Sequence, residues 1–175
     1  MTIRVGINGF GRIGRLALRA LVDRPELDLE VVHVNEIAGD AACMAHLTEF
    51  DSVHGRWAHP VTGEGDTLTI GGRSIRFTTS ESIEGIDWYS SGVDVVIEST
   101  GRWRSLDQIE PHLKQGARRV AVAAPVKHDS VLNIVMGVND DRFDPEQHRI
   151  VTAASCTTNC LAPVVKALHE SLGIR

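Results

Sequence analysis

The sequence is 175 residues long and carries 18 basic and 23 acidic residues, for a formal net charge of −5. The two signs are interspersed, which argues against a nucleic-acid partner and an acidic disordered tail. Three cysteines are too few for a disulfide framework, no apolar run approaches a membrane span, and the first strand begins too early for a signal peptide. We therefore expect a cytoplasmic protein whose partners are small molecules or protein.

The chain opens with a predicted strand, a glycine-rich turn and a helix. Residues 3–7 form the strand, and residues 8–14 read NGFGRIG. Gly9 permits the tight turn, Gly11 lets the backbone approach a pyrophosphate, and Gly14 allows close packing of helix on strand. Because a strand precedes the glycines and a helix follows them, the pattern predicts a dinucleotide site. The alternative is a glycine loop without a ligand.

The buried face of the helix is predicted from Leu16, Ala17, Ala20 and Leu21.

A second strand, residues 29–34, leads into Asn35 and Glu36. Glu36 lies 22 positions after Gly14, which matches the position of the acidic residue that binds the adenosine ribose. A carboxylate there accepts hydrogen bonds from the ribose hydroxyls and repels a 2′-phosphate, so it favours NAD over NADP. The alternative interpretation is a solvated loop carboxylate.

The remaining pattern predicts an α/β fold with a Rossmann-type doubly wound, mostly parallel sheet. A polar hairpin is expected around Gly71 and Gly72, and a helix is expected from about residue 105 to residue 115. Ser105 and Gln108 fit a capping box at its start. Further strands are predicted at residues 67–70, 73–77, 93–98, 119–123, 134–138 and 150–153.

Cys156 lies where a predicted strand, residues 149–154, turns into a helix. Unpaired backbone N–H groups and the positive end of the helix dipole favour an anion at such a position, so we predict a nucleophilic thiolate able to attack a carbonyl. The alternative is a buried structural cysteine. The neighbouring polar residues Ser155, Thr157, Thr158 and Asn159 favour the first interpretation.

Cys160 follows one helical turn later and is interpreted as a small core residue. No second Cys/His pair completes a zinc pattern, so no metal site is predicted. Pro163 is expected to end a tight first turn before a longer amphipathic helix that stops at Gly173.

Four motifs, in order along the chain, resemble the amino-terminal half of the glyceraldehyde-3-phosphate dehydrogenase family, which is closely related to erythrose-4-phosphate dehydrogenase. They are NGFGRIGR at residues 8–15, DSVHG at 51–55, ESTG at 98–101 and SCTTNCLAP at 155–163. The resemblance covers essentially the whole chain.

The resemblance implies a reaction. Cys156 is expected to form a thiohemiacetal with an aldehyde sugar phosphate, most simply glyceraldehyde 3-phosphate. Hydride then passes to NAD, and inorganic phosphate cleaves the resulting thioester. Ser155 and Thr157 are expected to help hold the oxyanion.

The resemblance also implies which residues bind the cofactor. Phe10, Arg12 and Ile13 are expected to line the pyrophosphate. Thr100 and Gly101 are expected along the nicotinamide half. The full predicted set is Gly9, Phe10, Gly11, Arg12, Ile13, Gly14, Asn35, Glu36, Ser99, Thr100 and Gly101.

The family's domain order predicts an NAD-binding domain over residues 1–150. Residues 151–175 would then hold the active-site cysteine and only the start of a second, catalytic domain. A full-length protein of this kind is expected to be a homo-oligomer, typically a tetramer.

Several positions depart from the commonest family pattern, including Ser80 and Glu81 near the expected adenine and Ala123 and Ala153 elsewhere. Glu36 in place of aspartate resembles the erythrose-4-phosphate branch. The overall pattern also resembles enzymes associated with arsenic-resistance operons, which would use arsenate as acyl acceptor in place of phosphate. The sequence leaves two alternatives open: which sugar phosphate is oxidised, and whether phosphate or arsenate is the acyl acceptor.

In the family, a general-base histidine lies beyond the position of Arg175. None of the eight histidines, including His54 and His169, is a convincing substitute, and most are interpreted as lacking a partner. We therefore expect the 175-residue chain to bind NAD without reducing it at an enzymatic rate. Two interpretations stay open: a piece of a full-length dehydrogenase, or a cofactor-binding module or split-enzyme subunit with little activity alone.

Overall fold

A computed structural model describes residues 2–174 and contains one large sheet flanked by helices. The strands are β1 (Ile3–Asn8), β2 (Leu29–Asn35), β3 (Phe50–Asp51), β4 (Gly55–Arg56), β5 (Val61–Glu64), β6 (Thr67–Ile70), β7 (Arg73–Thr78), β8 (Val95–Glu98), β9 (Arg119–Val122), β10 (Leu132–Asn133) and β11 (Ile150–Thr152). The helices are α1 (Arg12–Val22), α2 (Ala41–Glu49), α3 (Leu106–Ile109), α4 (Pro111–Lys114) and α5 (Cys156–Leu172). Single 3₁₀ turns cover Pro25–Leu27, Ile83–Gly85 and Asp140–Arg142.

Within residues 2–174, nine strands form a sheet in the order β10-β11-β9-β8-β1-β2-β7-β6-β5. The pairs from β10 to β7 are parallel, and β7, β6 and β5 pair antiparallel at one edge. β2 follows β1 in sequence and pairs with one edge of it, whereas β8 comes later in the chain and pairs with the other edge of β1. The strand order therefore reverses between β1 and β8, which is where open α/β sheets bind ligands. The predicted Rossmann-type sheet is confirmed.

Two hydrophobic clusters hold helices and loops against this sheet. One joins Val5 and Ile7 of β1 to Leu18 of α1, and the other joins Val96 of β8 to Ile109 of α3. Burial of the central strands agrees with their continuous apolar sequence. In α1, Leu18 is completely buried whereas Ala20 is exposed, so the predicted face was wrong at Ala20.

The predicted strand at residues 134–138 was wrong. The Asn139 side chain accepts a hydrogen bond from the Val135 N–H and donates to the Asn133 carbonyl, which closes the segment into a turn. The strand in this region is the two-residue β10, which precedes the predicted segment.

The helix predicted over residues 105–115 is two four-residue helices, α3 and α4. Pro111 has no backbone N–H and begins α4, which separates the two. The capping box was also wrong: the Ser105 side chain makes no capping bond, and Gln108 accepts from the N–H of Arg104.

The hairpin around Gly71 and Gly72 is confirmed as β6 and β7. It is not polar throughout, because Leu68, Ile75 and Phe77 are buried in the core. Its inner face therefore anchors the antiparallel edge of the sheet.

Helix α5 runs without interruption from Cys156 to Leu172, with Pro163 inside it, so the expected separate first turn was wrong. The helix tolerates the missing Pro163 N–H at the cost of one internal hydrogen bond. None of its described residues is buried. Cys160 is accordingly exposed, and its interpretation as a core residue was wrong.

Candidate functional site

A cleft lies at the carboxyl ends of β1, β2 and β8, at the point where the strand order reverses. Each of these strands ends in a buried polar residue: Asn8, Asn35 and Glu98. The residues lining the cleft are Asn8, Gly9, Gly11, Asn35, Glu36, Ile37, Ser80, Glu81, Ser82, Ile83, Ser99, Thr100, Arg102 and Trp103.

The loop between β1 and α1, residues 9–11, is here called the glycine loop. It forms the floor of this cleft through close backbone contacts. Gly9 has a φ of +88°, and a Cβ on it would lie 2.5 Å from the backbone nitrogen of Thr100. A Cβ on Gly14 would lie 2.2 Å from the Gly9 carbonyl oxygen. A side chain at Gly9 would push the loop away from the turn after β8, and a side chain at Gly14 would push α1 away from the loop.

Gly11 has a different role in the same loop. A Cβ there would meet nothing within 4 Å, because the residue faces open space. Gly11 also caps α1 without a side-chain hydrogen bond, which leaves first-turn N–H groups available. An open approach to a helix N-terminus fits a pyrophosphate.

Glu36 turns its carboxylate toward the glycine loop. Oε2 accepts from the N–H of Phe10 at 2.6 Å, and Oε1 accepts from the N–H groups of Ile37 and Ala38 at 2.8 and 2.9 Å. Oε1 has thus used both lone pairs, whereas Oε2 keeps one acceptor position. The partly buried carboxylate is held in place and can accept one ribose hydroxyl without rearrangement.

The predicted cofactor residues differ in how they reach the cleft. The Phe10 side chain is completely buried in the core, so this residue offers only its backbone. Arg12 and Ile13 are exposed at the start of α1. Ser99 and Thr100 line the cleft, whereas Gly101 is exposed beside it and is not a lining residue.

On the two opposite walls of the cleft, the sequence placed only Ser80 and Glu81 near the cofactor, and the other wall residues were missed. Ser80 to Ile83 line one side, and Arg102 and Trp103 line the other. Arg102 and Trp103 directly follow the ESTG motif, and that proximity was the available signal. Ser80 to Ile83 follow β7, and no local pattern marks them; the family resemblance alone had placed Ser80 and Glu81 near the adenine.

Cys156 is the first residue of α5 and is exposed. The turn before it is tight: Ala154 has a φ of +55°, in the left-handed region, and its N–H donates to Thr152 Oγ1 at 3.0 Å. The Asn159 side chain donates to the carbonyls of Ala153 and Ser155 at 2.7 and 2.9 Å. These contacts set the direction in which α5 leaves the sheet.

The predicted oxyanion residues lie on either side of Cys156. Ser155 is the N-cap of α5, and its Oγ accepts from the N–H of Thr158 at 3.1 Å. The same oxygen lies 3.0 Å from Thr157 Oγ1. Ser155 is therefore engaged in capping, while Thr157 is exposed.

The cysteine turn and the cleft share one edge of the sheet. β11, which ends at Thr152, is separated from β8 by β9 alone, and all three strands are parallel. Two strand spacings amount to roughly 10 Å. The fold thus places Cys156 and the turn after Glu98 on the same side of the molecule.

Exposure does not distinguish the three cysteines, because Cys43 and Cys160 are exposed as well. Their positions within the helices do distinguish them, because Cys43 is the third residue of α2 and Cys160 is the fifth residue of α5. Among the three, Cys156 alone occupies the first helical position.

The interpretation of most histidines as lacking a partner was wrong, because hydrogen-bond or ion-pair partners are present for His33, His59, His112, His128 and His148. His33 contacts Thr78 Oγ1 at 3.0 Å and Ser91 Oγ at 2.9 Å, and His112 contacts Glu98 at 3.0 Å. Burial lowers the pKa of His33 to about 4.

Residues 2–174 contain no group of three or more His, Cys, Asp or Glu side chains arranged to hold a metal ion. Over the same residues, no helix combines the length and apolar character that crossing a membrane requires.

Comparison with known proteins identifies relatives along the whole chain. Residues 3–106 match the family model described as glyceraldehyde 3-phosphate dehydrogenase, NAD binding domain. Glyceraldehyde-3-phosphate dehydrogenase 3 of Nostoc sp. is 55% identical over 175 residues, which is 100% of this chain and 51% of that protein. The Geobacillus stearothermophilus and Streptomyces coelicolor glyceraldehyde-3-phosphate dehydrogenases are each 47% identical over 174 residues, 99% of this chain and 51% of theirs. The chain thus spans about half the length of these relatives.

Proposed function

Because this chain belongs to the glyceraldehyde-3-phosphate dehydrogenase family and matches its NAD-binding domain, NAD is its cofactor, and we propose that it serves the NAD-dependent oxidation of an aldehyde sugar phosphate. Glyceraldehyde 3-phosphate is the proposed substrate, as in the names of the relatives. The proposed setting is the cytoplasm, in a homo-oligomer. Residues 1–150 would form the cofactor domain and residues 151–175 the start of the catalytic one.

The cleft geometry supports the proposed cofactor placement. The pyrophosphate would lie against Gly11 and the first turn of α1, where no side chain blocks its approach. Glu36 would accept one hydroxyl of the adenosine ribose through the free position on Oε2. Thr100, in the turn after β8, would then face the nicotinamide half. NAD bound in this way supplies the hydride acceptor.

Cys156 would provide the covalent chemistry. Its thiolate sulfur adds to the aldehyde carbon, which forms a C–S bond and an alkoxide. Hydride leaves that carbon as the carbonyl re-forms, so the aldehyde is oxidised to a thioester. A phosphate oxygen then attacks the thioester and releases the thiolate. Arsenate would enter the last step in the same way as phosphate.

One observation carries this proposal: Cys156 occupies the first position of α5, exposed, at the sheet edge that also holds the cleft. The test is mass spectrometry of the purified protein after incubation with NAD and glyceraldehyde 3-phosphate without phosphate. We expect an acyl adduct on Cys156 in the wild type and in Cys160→Ser, and none in Cys156→Ser. An adduct that survives in Cys156→Ser would overturn the assignment. Adding phosphate or arsenate separately, and measuring how fast each removes the adduct, identifies the acceptor.

A second candidate function is an NAD-binding module or split-enzyme subunit with little turnover of its own. It is favoured by the cleft, because all of its lining residues fall within residues 3–106, the part that matches the NAD-binding domain, and none belongs to the turn that holds Cys156. NAD binding without any acyl adduct on the wild-type protein would support this candidate over the first.

A further inference from the structure

Beneath the cleft lies a buried polar network centred on Glu98, whose side chain is 1% exposed. Its Oε2 accepts from Asn8 Nδ2 at 2.6 Å and contacts His112 Nε2 at 3.0 Å. Its Oε1 accepts from the N–H of Thr100 at 2.9 Å and from the Thr100 hydroxyl. Glu98 is the acceptor in three of these four contacts, and the direction of the fourth depends on the tautomer of His112.

His112 is completely buried, and its two ring nitrogens have different partners. Trp88 Nε1 can only donate, and it lies 3.0 Å from His112 Nδ1, so Nδ1 is the acceptor. The ring proton is then on Nε2, directed at Glu98. Trp88 thus sets the tautomer of His112, and His112 in turn holds the carboxylate.

The network continues from β1 to β2 through two asparagines. Asn8 uses its amide donor on Glu98, and its Oδ1 accepts from Asn35 Nδ2 at 2.9 Å. Asn35 Oδ1 accepts from the N–H of Ser80 at 2.8 Å, and Asn35 Nδ2 donates to the Ser80 carbonyl at 3.0 Å. The chain of contacts therefore ends on residues that line the cleft on both sides, Thr100 and Ser80.

Burying a carboxylate is costly, and packing alone is served as well by apolar side chains of similar volume. A network that ends on both walls of a cleft has a use that apolar packing lacks, because it fixes the distance between backbone groups facing the ligand. We propose that Glu98 and His112 are positioning residues that hold Thr100 in place for the nicotinamide half of NAD. This inference rests on the proposed orientation of NAD in the cleft.

The test compares two ligands, NAD and ADP-ribose, which lacks the nicotinamide. Glu98→Gln places an amide among four donors, and His112→Leu removes the donor to Glu98. Both variants should weaken NAD binding by about tenfold, because one hydrogen bond to the ligand is no longer held in place. Both should change the dissociation constant of ADP-ribose by less than about twofold. His112→Gln can accept from Trp88 and donate to Glu98, so it should keep the wild-type ratio. Dissociation constants come from calorimetry, and thermal unfolding checks that each variant is folded.

A purely structural role predicts a different result. The melting temperature would fall, but the ratio of the two dissociation constants would stay at the wild-type value in all folded variants, and that outcome would overturn the proposal. Failure of the wild type to bind NAD would instead refute the proposed function.

A measurement on the wild type avoids the risk that a variant does not fold. The ¹⁵N resonances of the His112 ring should report the Nε2–H tautomer and shift when NAD is added, but not with ADP-ribose. His112→Gln identifies those resonances by removing them. Unchanged His112 resonances at saturating NAD would also overturn the proposal.

Discussion

Glu36 is the residue on which the choice between NAD and NADP is expected to depend. Its carboxylate is held by three backbone N–H groups beside the glycine loop, so it cannot easily turn away from a 2′-phosphate. Glu36→Gln removes the charge and keeps an acceptor oxygen. We expect the ratio of the dissociation constants for NADP and NAD to fall by about tenfold. Titration of both nucleotides checks this, with Glu26→Ala, an exposed change outside the cleft, as control. An unaltered ratio in Glu36→Gln would remove Glu36 from the ribose site.

Cys156 should react with iodoacetamide faster than the other two cysteines. All three are exposed, so access alone predicts similar rates. Cys156 differs because it lies at the first position of α5, where unpaired N–H groups and the helix dipole stabilise the negative charge that develops on an attacking sulfur. Peptide mass spectrometry of the native protein over time gives the three rates. Equal labelling of Cys43, Cys156 and Cys160 would argue against an activated thiol.

At the level of elements, Arg19 joins α1 to the end of α2. Its guanidinium donates to the carbonyls of Thr48, Glu49 and Gly55 at 2.8, 3.1 and 3.3 Å, and lies 5.6 Å from the centroid of the Trp57 ring. Although charged, Arg19 is only 6% exposed.

Arg19→Met keeps much of the side-chain volume but leaves these carbonyls without their donor. We expect the free energy of unfolding to fall by about 1–3 kcal/mol. Urea denaturation measures the change. Arg24→Met, at an exposed position just past α1, is the matched control and should have little effect. Similar losses in both variants would show that general charge removal, and not the bridge to α2, is responsible.

His33 makes the stability of the sheet depend on pH. Burial lowers its pKa to about 4; the nearby Arg76 charge adds to the shift and Asp87 opposes it. Below pH 6.5 the unfolded chain takes up a proton on this residue, whereas the folded chain stays neutral until about pH 4. The contribution of neutral His33 to the stability of the fold is therefore fully present above pH 6.5 and is lost as the pH falls toward 4.

We expect the free energy of unfolding to fall over this window by at most about 1.4 kcal/mol per pH unit from this residue. Denaturation at several pH values between 7 and 4.5 measures the slope, and His33→Gln should reduce it. The carboxylates of Asp51 and Asp87, whose pKa values are also lowered by hydrogen bonds, lose their contributions at lower pH. An equal slope in His33→Gln would assign the effect to other groups.

At the scale of the whole molecule, NAD should stabilise the folded chain by mass action. At an NAD concentration 100 times the dissociation constant, the free energy of unfolding should rise by about 2.7 kcal/mol. For a chain of this size, that corresponds to a rise of roughly 5–10 °C in melting temperature. Gly11→Ala provides a sharp control, because its Cβ touches no protein atom and fills only the open space of the cleft. This variant should melt near the wild type without ligand and show a smaller shift with NAD. A full NAD shift in Gly11→Ala would place the pyrophosphate elsewhere.

The sequence alone was sufficient for features that depend on neighbouring residues. Gly9 and Gly14 could be assigned because their steric roles concern a turn and a helix within a few positions of each other. Cys156 could be placed at a helix start for the same reason. The order of strand, glycine turn, helix and second strand also led to the Rossmann-type sheet, because short parallel connections allow few topologies.

Only the tertiary structure decided features that join distant parts of the chain. Glu98 contacts Asn8 and His112, and Trp88 fixes the His112 tautomer, yet no local pattern marks any of these pairs. Periodicity also failed where a side chain overrode it, as Asn139 does by closing residues 134–138 into a turn. Local propensity acts between sequence neighbours, whereas the burial and partner of a polar group depend on which strands the fold brings side by side.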